Sequence, residues 1–375
     1  MPTEYRPGLE GILAGYSAIS EVDPVKNSLM YRGYDAHDLV DNCAFEEVAY
    51  LVLHGKLPNA SEYELFKQRI RSQRDVPDDI YDVYRTFAKN AHPMDTLKAA
   101  VAIIAARDPD ASDISRDSSI RKAELLLAKV PVLVVNGYRA MKGEAPRAPR
   151  ADLDHNANFL YMLTGDADNS LYNKVLNVTQ ILYAEHGFNA STFSARVTVS
   201  SLADLYCGVI SAIGTLKGAL HGGANEQAME MLLSIGEPSN ARAWIQDALA
   251  NKKKIMGFGH REYKNGDERA RMIKKYVELV SEQVGDSKWL DISNVLEEEM
   301  LAAKKLYPNV DFPVASLYYM MGIPVPIYTP MFVMSRLTGW SANIIEQLEN
   351  NRIFRPQSEY NGPRDLKVVP LAERE

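Results

Sequence analysis

Apolar residues recur along most of the chain with a helical period. Over 45–55, Phe45, Val48, Ala49 and Val52 stand at i, i+3, i+4 and i+7, one face of a 3.6-residue helix. Glu46 and Glu47 fall in its first turn, where the helix dipole favours carboxylates, and Gly55 and Pro58 supply the stop. The same pattern predicts helices over 61–73, 80–90, 95–106, 119–142, 170–186, 192–217, 221–235, 240–250, 268–284, 290–306, 312–321 and 328–350. Strand-like alternation is rare and short; the best stretches are 11–20 and 29–32. About a dozen helices with little sheet predict an all-α fold. The stretch 192–217 is rich in Ser, Ala and Gly, whose small side chains let backbones approach closely. It reads as a core helix, with a break allowed, and either as plain core or as one face of a subunit interface. A Pro- and charge-rich loop spans 142–150, and the polar tail 361–375 reads as an extended arm.

The 375 residues are 46% hydrophobic and 24% charged, enough for a large core without metal or disulfide staples. A net charge of −7 argues against nucleic-acid and anionic-membrane partners. Cys43 and Cys207 form no CxxC pair, so structural zinc and a disulfide framework are unsupported; both read as small buried hydrophobes. No secretory or transit pattern opens the chain and no stretch is a lone membrane span, which predicts a cytoplasmic protein.

Several chemistries fall away. Gly257-Phe-Gly259 lacks the third glycine and the acidic partner of a dinucleotide fingerprint, and GxxxxGK[ST], HExxH and GxSxG are all missing. Seven histidines remain, three of them in glycine-flanked helix junctions: His186 before Gly187, His221 before Gly222 and Gly223, and His260 after Gly259. Glycines there let a ligand approach the backbone. The positive end of a helix disfavours imidazolium, leaving a neutral ring able to donate to an oxygen that is gaining charge. Capping or core roles are the plain alternative. A metal site is disfavoured, since no two are spaced i, i+4 and no carboxylate joins them.

Taken in order, certain strings resemble the citrate synthase family, including its 2-methylcitrate synthase members, over essentially the whole chain. They are Leu-Met-Tyr-Arg-Gly-Tyr at 29–34, His-Pro-Met-Asp at 92–95, Ala-Glu-His-Gly-Phe-Asn-Ala-Ser-Thr at 184–192 and Leu-Lys-Gly-Ala-Leu-His-Gly-Gly-Ala-Asn at 216–225. Further matches are Met-Gly-Phe-Gly-His at 256–260 with Arg269, Asn-Val-Asp-Phe at 309–312, Ser-Arg-Leu-Thr-Gly at 335–339 and Arg-Pro at 355–356. The resemblance implies a helical large domain (1–220 and 326–375, the latter ending in an arm) and a smaller helical domain (221–325) that closes over the substrates. It implies a homodimer or higher oligomer with shared active sites. The implied reaction condenses an acyl-CoA with oxaloacetate and then hydrolyses the thioester, with coenzyme A entering as substrate and with neither metal nor resident cofactor.

The resemblance also implies roles. Asp311 takes the α-proton, its carboxylate raised in pKa by the apolar residues around it; alone, it would read as a helix N-cap. His221 holds the enol oxygen, and His260 donates to the oxaloacetate carbonyl. Arg269 and Arg336 hold the substrate carboxylates from one subunit, Arg355 reaches in from the other, and His186 hydrogen-bonds the substrate. Asn189 and Arg69 are further candidates, although a surface-helix role is the favoured reading of Arg69. Arg336 lies in an apolar stretch, so it is either a ligand or half of a buried ion pair. Lys254, Ile255, Met256, Gly257, Phe258 and Gly259 form the loop that receives coenzyme A. Tyr183, three residues before His186, resembles the 2-methylcitrate type, whereas Val310 before Asp311 resembles the citrate type. The balance favours 2-methylcitrate synthesis with some citrate synthesis. The alternatives are a primary citrate synthase and a non-catalytic helical dimer that keeps the fold.

Overall fold

A computed structural model describes residues 5–87 and 91–374. Near the N-terminus, β1 (Ser20–Asp23), β2 (Ser28–Tyr31) and β3 (Tyr34–Asp35) form a three-stranded antiparallel sheet, with Ser20 opposite Tyr31 and Met30 opposite Asp35. Sixteen α-helices follow among the described residues. The first ten are α1 (Ala36–Asn42), α2 (Phe45–His54), α3 (Ala60–Ser72), α4 (Asp78–Phe87), α5 (Pro93–Arg107), α6 (Arg116–Met141), α7 (His155–Thr164), α8 (Ser170–Tyr183), α9 (Ala190–Val199) and α10 (Leu205–Leu216). The remainder are α11 (Ala224–Ile235), α12 (Pro238–Ala250), α13 (Glu268–Val284), α14 (Lys288–Lys304), α15 (Asp311–Met320) and α16 (Tyr328–Glu349). The fold is all-α. No described helix is long and apolar enough to cross a membrane.

The periodic stretches became helices within a few residues of their expected ends; the end of the stretch 80–90 lies outside the described residues. Two helices carry little periodic signal. α1 is seven residues long and depends on its cap, Asp35, whose carboxylate accepts from the His37 N–H at 2.8 Å. α7 is mostly buried, so polar and apolar positions do not alternate along it. The stretch 11–20 is not a strand; β1 starts only at Ser20. The stretch 192–217 is two helices, broken where Leu202 takes φ +69° and Asp204 caps α10 by accepting from the Cys207 N–H. Within it Gly208 serves the core, since a Cβ there would lie 2.7 Å from Ile344 and 2.8 Å from Val199, whereas Ser201 and Gly214 are exposed. Cys207 is exposed, contrary to its expected burial, and Cys43 is half-buried.

α16 is the centre. Nearly every residue from Tyr328 to Gln347 is buried, and the helix packs against α2, α5, α6, α8, α9 and α10. A helix sheathed on all sides has no solvated face to give it amphipathic character. Helices α11 to α15 pack mainly on one another, meeting the first group through α13 on α8 and α11 on α16. The small sheet docks on the end of α8. There the Tyr31 hydroxyl donates to the Ile181 carbonyl at 2.9 Å, in the last turn of α8, and to the Glu185 carbonyl at 3.1 Å, just beyond it.

Candidate active site

A cleft of about 900 Å³ opens between the two helix groups. It is lined by all three junction histidines, by Asp311, Arg269, Arg336 and Asn189, and by the N-terminal segment from Gly8 to Ala14. His186 and His221 sit within a few residues of helix ends and His260 sits in the loop between α12 and α13, so a loop, rather than a helix face, aims each of them.

His186 follows α8 in a loop pinned from three sides. Glu185 accepts from Ser20 Oγ (3.1 Å) and Asn343 Nδ2 (3.2 Å), and the Gly187 N–H donates to Ser20 Oγ (3.1 Å). The buried ring has Nε2 3.3 Å from the Tyr263 hydroxyl and meets the His260 ring edge-on at 5.1 Å. His221 lies in the turn before α11. Its Nε2 is 2.7 Å from Ser191 Oγ and accepts from the Ser191 N–H at 3.3 Å. An N–H pointing at Nε2 requires a lone pair there, which assigns the proton to Nδ1. His260 is the mirror case. Its Nδ1 accepts from the N–H groups of Glu262 (3.1 Å) and Tyr263 (3.2 Å), so Nε2 carries the proton.

All three rings are neutral near pH 7. Burial and then the Arg336 charge push His221 down to about 4; burial and then Arg269 do the same to His260, also to about 4. His186 is held well below the usual range, first by burial and then by Arg269. The neutrality expected from helix dipoles is therefore present, but desolvation and the neighbouring arginines cause it.

Asp311 opens α15, and the cap position belongs to Val310, so the carboxylate is not a cap. It accepts instead from the Tyr183 hydroxyl at 2.8 Å. Burial raises its pKa to about 6, against the lowering effects of the Tyr183 bond and Arg269. The loop carrying it is tied to the loop carrying His260. Phe258 pairs with Pro308, the Gly259 N–H donates to the Tyr307 carbonyl (2.8 Å), and the Asn309 N–H donates to the Gly257 carbonyl (2.9 Å). Asn309 Nδ2 adds a 3.0 Å bond to the Gly259 carbonyl. Gly257 has φ +80°, and a Cβ there would stand 2.7 Å from Phe312 Cβ, so only glycine lets the two loops meet.

The arginines differ. Arg269 gives Nε (2.9 Å) and Nη2 (2.8 Å) to Asp267, whose Oδ2 also accepts from the Val310 N–H at 3.1 Å. Arg336 is 2% exposed, donates Nε to the Tyr183 carbonyl at 2.6 Å, and stacks 4.8 Å from the Phe332 ring. Among the described residues no carboxylate pairs with it within 4.0 Å, which removes the buried-ion-pair alternative. A buried guanidinium that faces a cleft, with Glu185 acting on it only from beyond ion-pair distance, suits an anionic ligand.

Other expected residues fare unevenly. Asn189 lines the cleft, but it also caps α9, accepting from the Thr192 N–H at 3.1 Å. Of the coenzyme A loop, Gly259 lines the cleft; Ile255 and Gly257 are buried behind it, Met256 and Phe258 are half-buried, and Lys254 is exposed. Arg355 is exposed after α16 and does not reach this chain's own cleft. Arg69 is not brought to the cleft at all. It lies on α3 and gives Nε (2.7 Å) and Nη2 (2.8 Å) to Glu124 of α6, a pairing that satisfies it within the fold. Ser191, Tyr263, Asp267 and the segment from Gly8 to Ala14 were not foreseen. Asp267, two residues before Arg269, was a readable signal; the N-terminal segment offers none.

Residues 8–357 match the family model described as "Citrate synthase, C-terminal domain". The chain is 44% identical to citrate synthase 2 of Bacillus subtilis over 368 residues, 98% of each protein. It is also 44% identical to 2-methylcitrate synthase of Mycobacterium tuberculosis, over 98% of this chain and 93% of the other.

The chain belongs to the citrate synthase family.

It is thus an acyl-transferring enzyme, which sets aside the non-catalytic alternative. Among solved structures, citrate synthase from Thermoplasma acidophilum, in a ternary complex with carboxymethyl coenzyme A and oxaloacetate, superposes with a TM-score of 0.93 at 32% identity. The match covers 99% of this chain and 100% of that one.

Proposed function

We propose that this enzyme condenses an acyl-CoA with oxaloacetate and hydrolyses the resulting thioester, with propionyl-CoA as the preferred donor and 2-methylcitrate as the product. One observation carries the reading: a carboxylate of raised pKa and two neutral imidazoles of opposite tautomer face one cleft with an unpaired buried arginine. Asp311 takes a proton from the carbon α to the thioester. The electron pair moves onto the thioester oxygen, where Nδ1–H of His221 meets it. The enol carbon attacks the oxaloacetate ketone, whose oxygen gains charge against Nε2–H of His260. Neutral rings suit both roles, because each donates as charge develops without carrying charge beforehand.

Arg269 and Arg336 hold the two carboxylates of oxaloacetate, helped by His186, and Arg355 completes the set from a partner subunit in a homodimer or higher oligomer. Planar guanidinium matches carboxylate geometry. The loop 254–259 receives coenzyme A. The segment 221–325 closes over the rest of the chain, a motion consistent with α11 to α15 packing mainly on one another.

A second reading, citrate synthesis from acetyl-CoA, is favoured by Val310 and by the relatives of both names. The donors differ by one methylene, worth about 1–3 kcal/mol, so both should turn over. Release of free coenzyme A with oxaloacetate and each thioester, followed by a thiol reagent, tests both readings. A higher kcat/KM with propionyl-CoA supports the first and a higher value with acetyl-CoA the second; no release with either rejects the reaction.

A further inference from the structure

We infer that Tyr183 is a positioning residue for the base: its hydroxyl holds one oxygen of Asp311 and leaves the other to take the substrate proton. This rests on the reaction proposed above and adds a part to it. Tyr183 ends α8, is 1% exposed, and places its hydroxyl 2.8 Å from Asp311 Oδ1. Among the described residues this hydroxyl is the hydrogen-bond donor to the Asp311 side chain. A carboxylate with one donor on Oδ1 has lost rotational freedom and presents Oδ2 as its free acceptor.

The phenol is itself held. Phe332 packs against its ring at 4.2 Å, and its carbonyl receives Nε of Arg336. One buried residue therefore spans the base and the carboxylate-binding arginine, setting the base by its side chain and the arginine by its backbone. Burial and the adjacent Asp311 push the phenol far above its usual range, so it stays protonated and donates throughout the working pH range. In the proton transfer the α C–H bond breaks, an O–H bond forms at Oδ2, the C–H pair becomes the C=C bond of the enol, and the carbonyl π pair moves onto the thioester oxygen. The phenol keeps its proton.

Removing the donor withdraws stabilisation from the charged carboxylate, so its affinity for a proton rises. The test is Tyr183→Phe, which keeps the ring and deletes one oxygen. The ascending limb of kcat against pH, expected near 6 in the unaltered enzyme, should move upward by about one pH unit. On its plateau kcat should fall about tenfold, with the KM for oxaloacetate changed less than threefold. Tyr318→Phe is the control. It deletes another buried hydroxyl, one that donates to Thr179 at 2.8 Å, and should leave the limb in place.

Should Tyr183→Phe not fold, 3-fluorotyrosine at position 183 answers the same question: a more acidic phenol is a stronger donor and should move the limb downward. An unmoved limb in the Phe or the fluoro variant, in an enzyme whose unaltered form releases coenzyme A, overturns the role of Tyr183 alone. Absence of release from the unaltered enzyme is a failure of the reaction, and the two results are separable.

Discussion

Ser191 holds its hydroxyl oxygen 2.7 Å from Nε2 of His221, and its N–H points at the same nitrogen. That oxygen also accepts from Trp340 Nε1 at 3.0 Å and lies 2.8 Å from Asn189 Oδ1. The serine therefore joins the cap of α9, the centre of α16 and the imidazole proposed to meet the enol oxygen. It keeps the His221 proton on the opposite nitrogen.

Ser191→Ala keeps the backbone N–H and removes the hydroxyl. The tautomer survives but the ring loses its closer contact, and the Trp340 N–H is left without its acceptor. We expect kcat to fall about tenfold with little change in the KM for oxaloacetate, and stability to fall by about 1–3 kcal/mol. Initial rates and urea unfolding measure the two effects. An increase in KM at unchanged kcat would contradict the placement of His221 at the enol oxygen.

Arg336 shows function and stability in opposition. Its charge is buried, no carboxylate among the described residues lies within 4.0 Å of it, and burial lowers its pKa against the pull of the more distant Glu185, so it costs the folded chain free energy in the absence of substrate. Arg336→Met keeps the length and removes the charge; it also leaves the Tyr183 carbonyl without its donor, at about 1 kcal/mol. We expect thermal stability without substrate to be unchanged or raised, while the KM for oxaloacetate rises about a hundredfold. A variant that melts well below the unaltered enzyme would show that Arg336 is a structural ion after all.

His155 gives the pH dependence of stability. It is 4% exposed, has no hydrogen-bond partner for Nε2 among the described residues, and is pushed down to about 3, first by burial and then by Arg74. Its folded pKa lies below its unfolded value of about 6.5, so the unfolded chain binds the extra proton. The group's stability contribution is complete above pH 6.5 and is lost as pH falls toward 3, at about 1.4 kcal/mol per pH unit. His155→Phe, whose ring would pack on Phe45 as the imidazole does at 5.2 Å, removes that slope. The urea midpoint of the variant should gain on the unaltered protein steadily between pH 6.5 and 4 and differ little in slope above 7. Parallel curves across the acid range would show that His155 is not held neutral.

Much of this was legible in the residues. α13 was readable to both ends because Glu268–Val284 has one buried face and one exposed face, with Asp267 and Gly285 as stops. The three histidines stood out because glycines surrounded them, and they do line one cleft. What could not be read is what tertiary contact decides. Nothing in the string around Tyr183 says that its hydroxyl meets Asp311, 128 positions away. Nothing around Arg69 says that Glu124 on another helix takes its charge. The cause of neutrality at His221 was equally hidden, since Arg336 is 115 positions away in sequence and burial is a property of the whole fold.

Arg355 makes the strongest demand on assembly. It is exposed, yet the chain leading to it is fixed: the Phe354 N–H donates to Ser200 Oγ at 3.1 Å, Asn351 Nδ2 donates to the Ser200 carbonyl at 3.0 Å, and the Phe354 ring meets Phe193 edge-on at 5.3 Å. An exposed arginine on an anchored segment is presented outward, as a site shared between subunits requires. Arg355→Ala should weaken oxaloacetate binding in every site. Asp311→Ala should abolish turnover, because the base is lost from each chain's own cleft. In a mixed dimer one site combines an intact Asp311 with an intact Arg355 from the other chain, and the opposite site lacks both. Mixing the two variants at an oxaloacetate concentration too low for Arg355→Ala to turn over, under conditions that exchange subunits, should therefore restore activity, approaching half that of the unaltered enzyme within mixed dimers. Exchange proven by mass, with no recovery of coenzyme A release, would place Arg355 outside the active site.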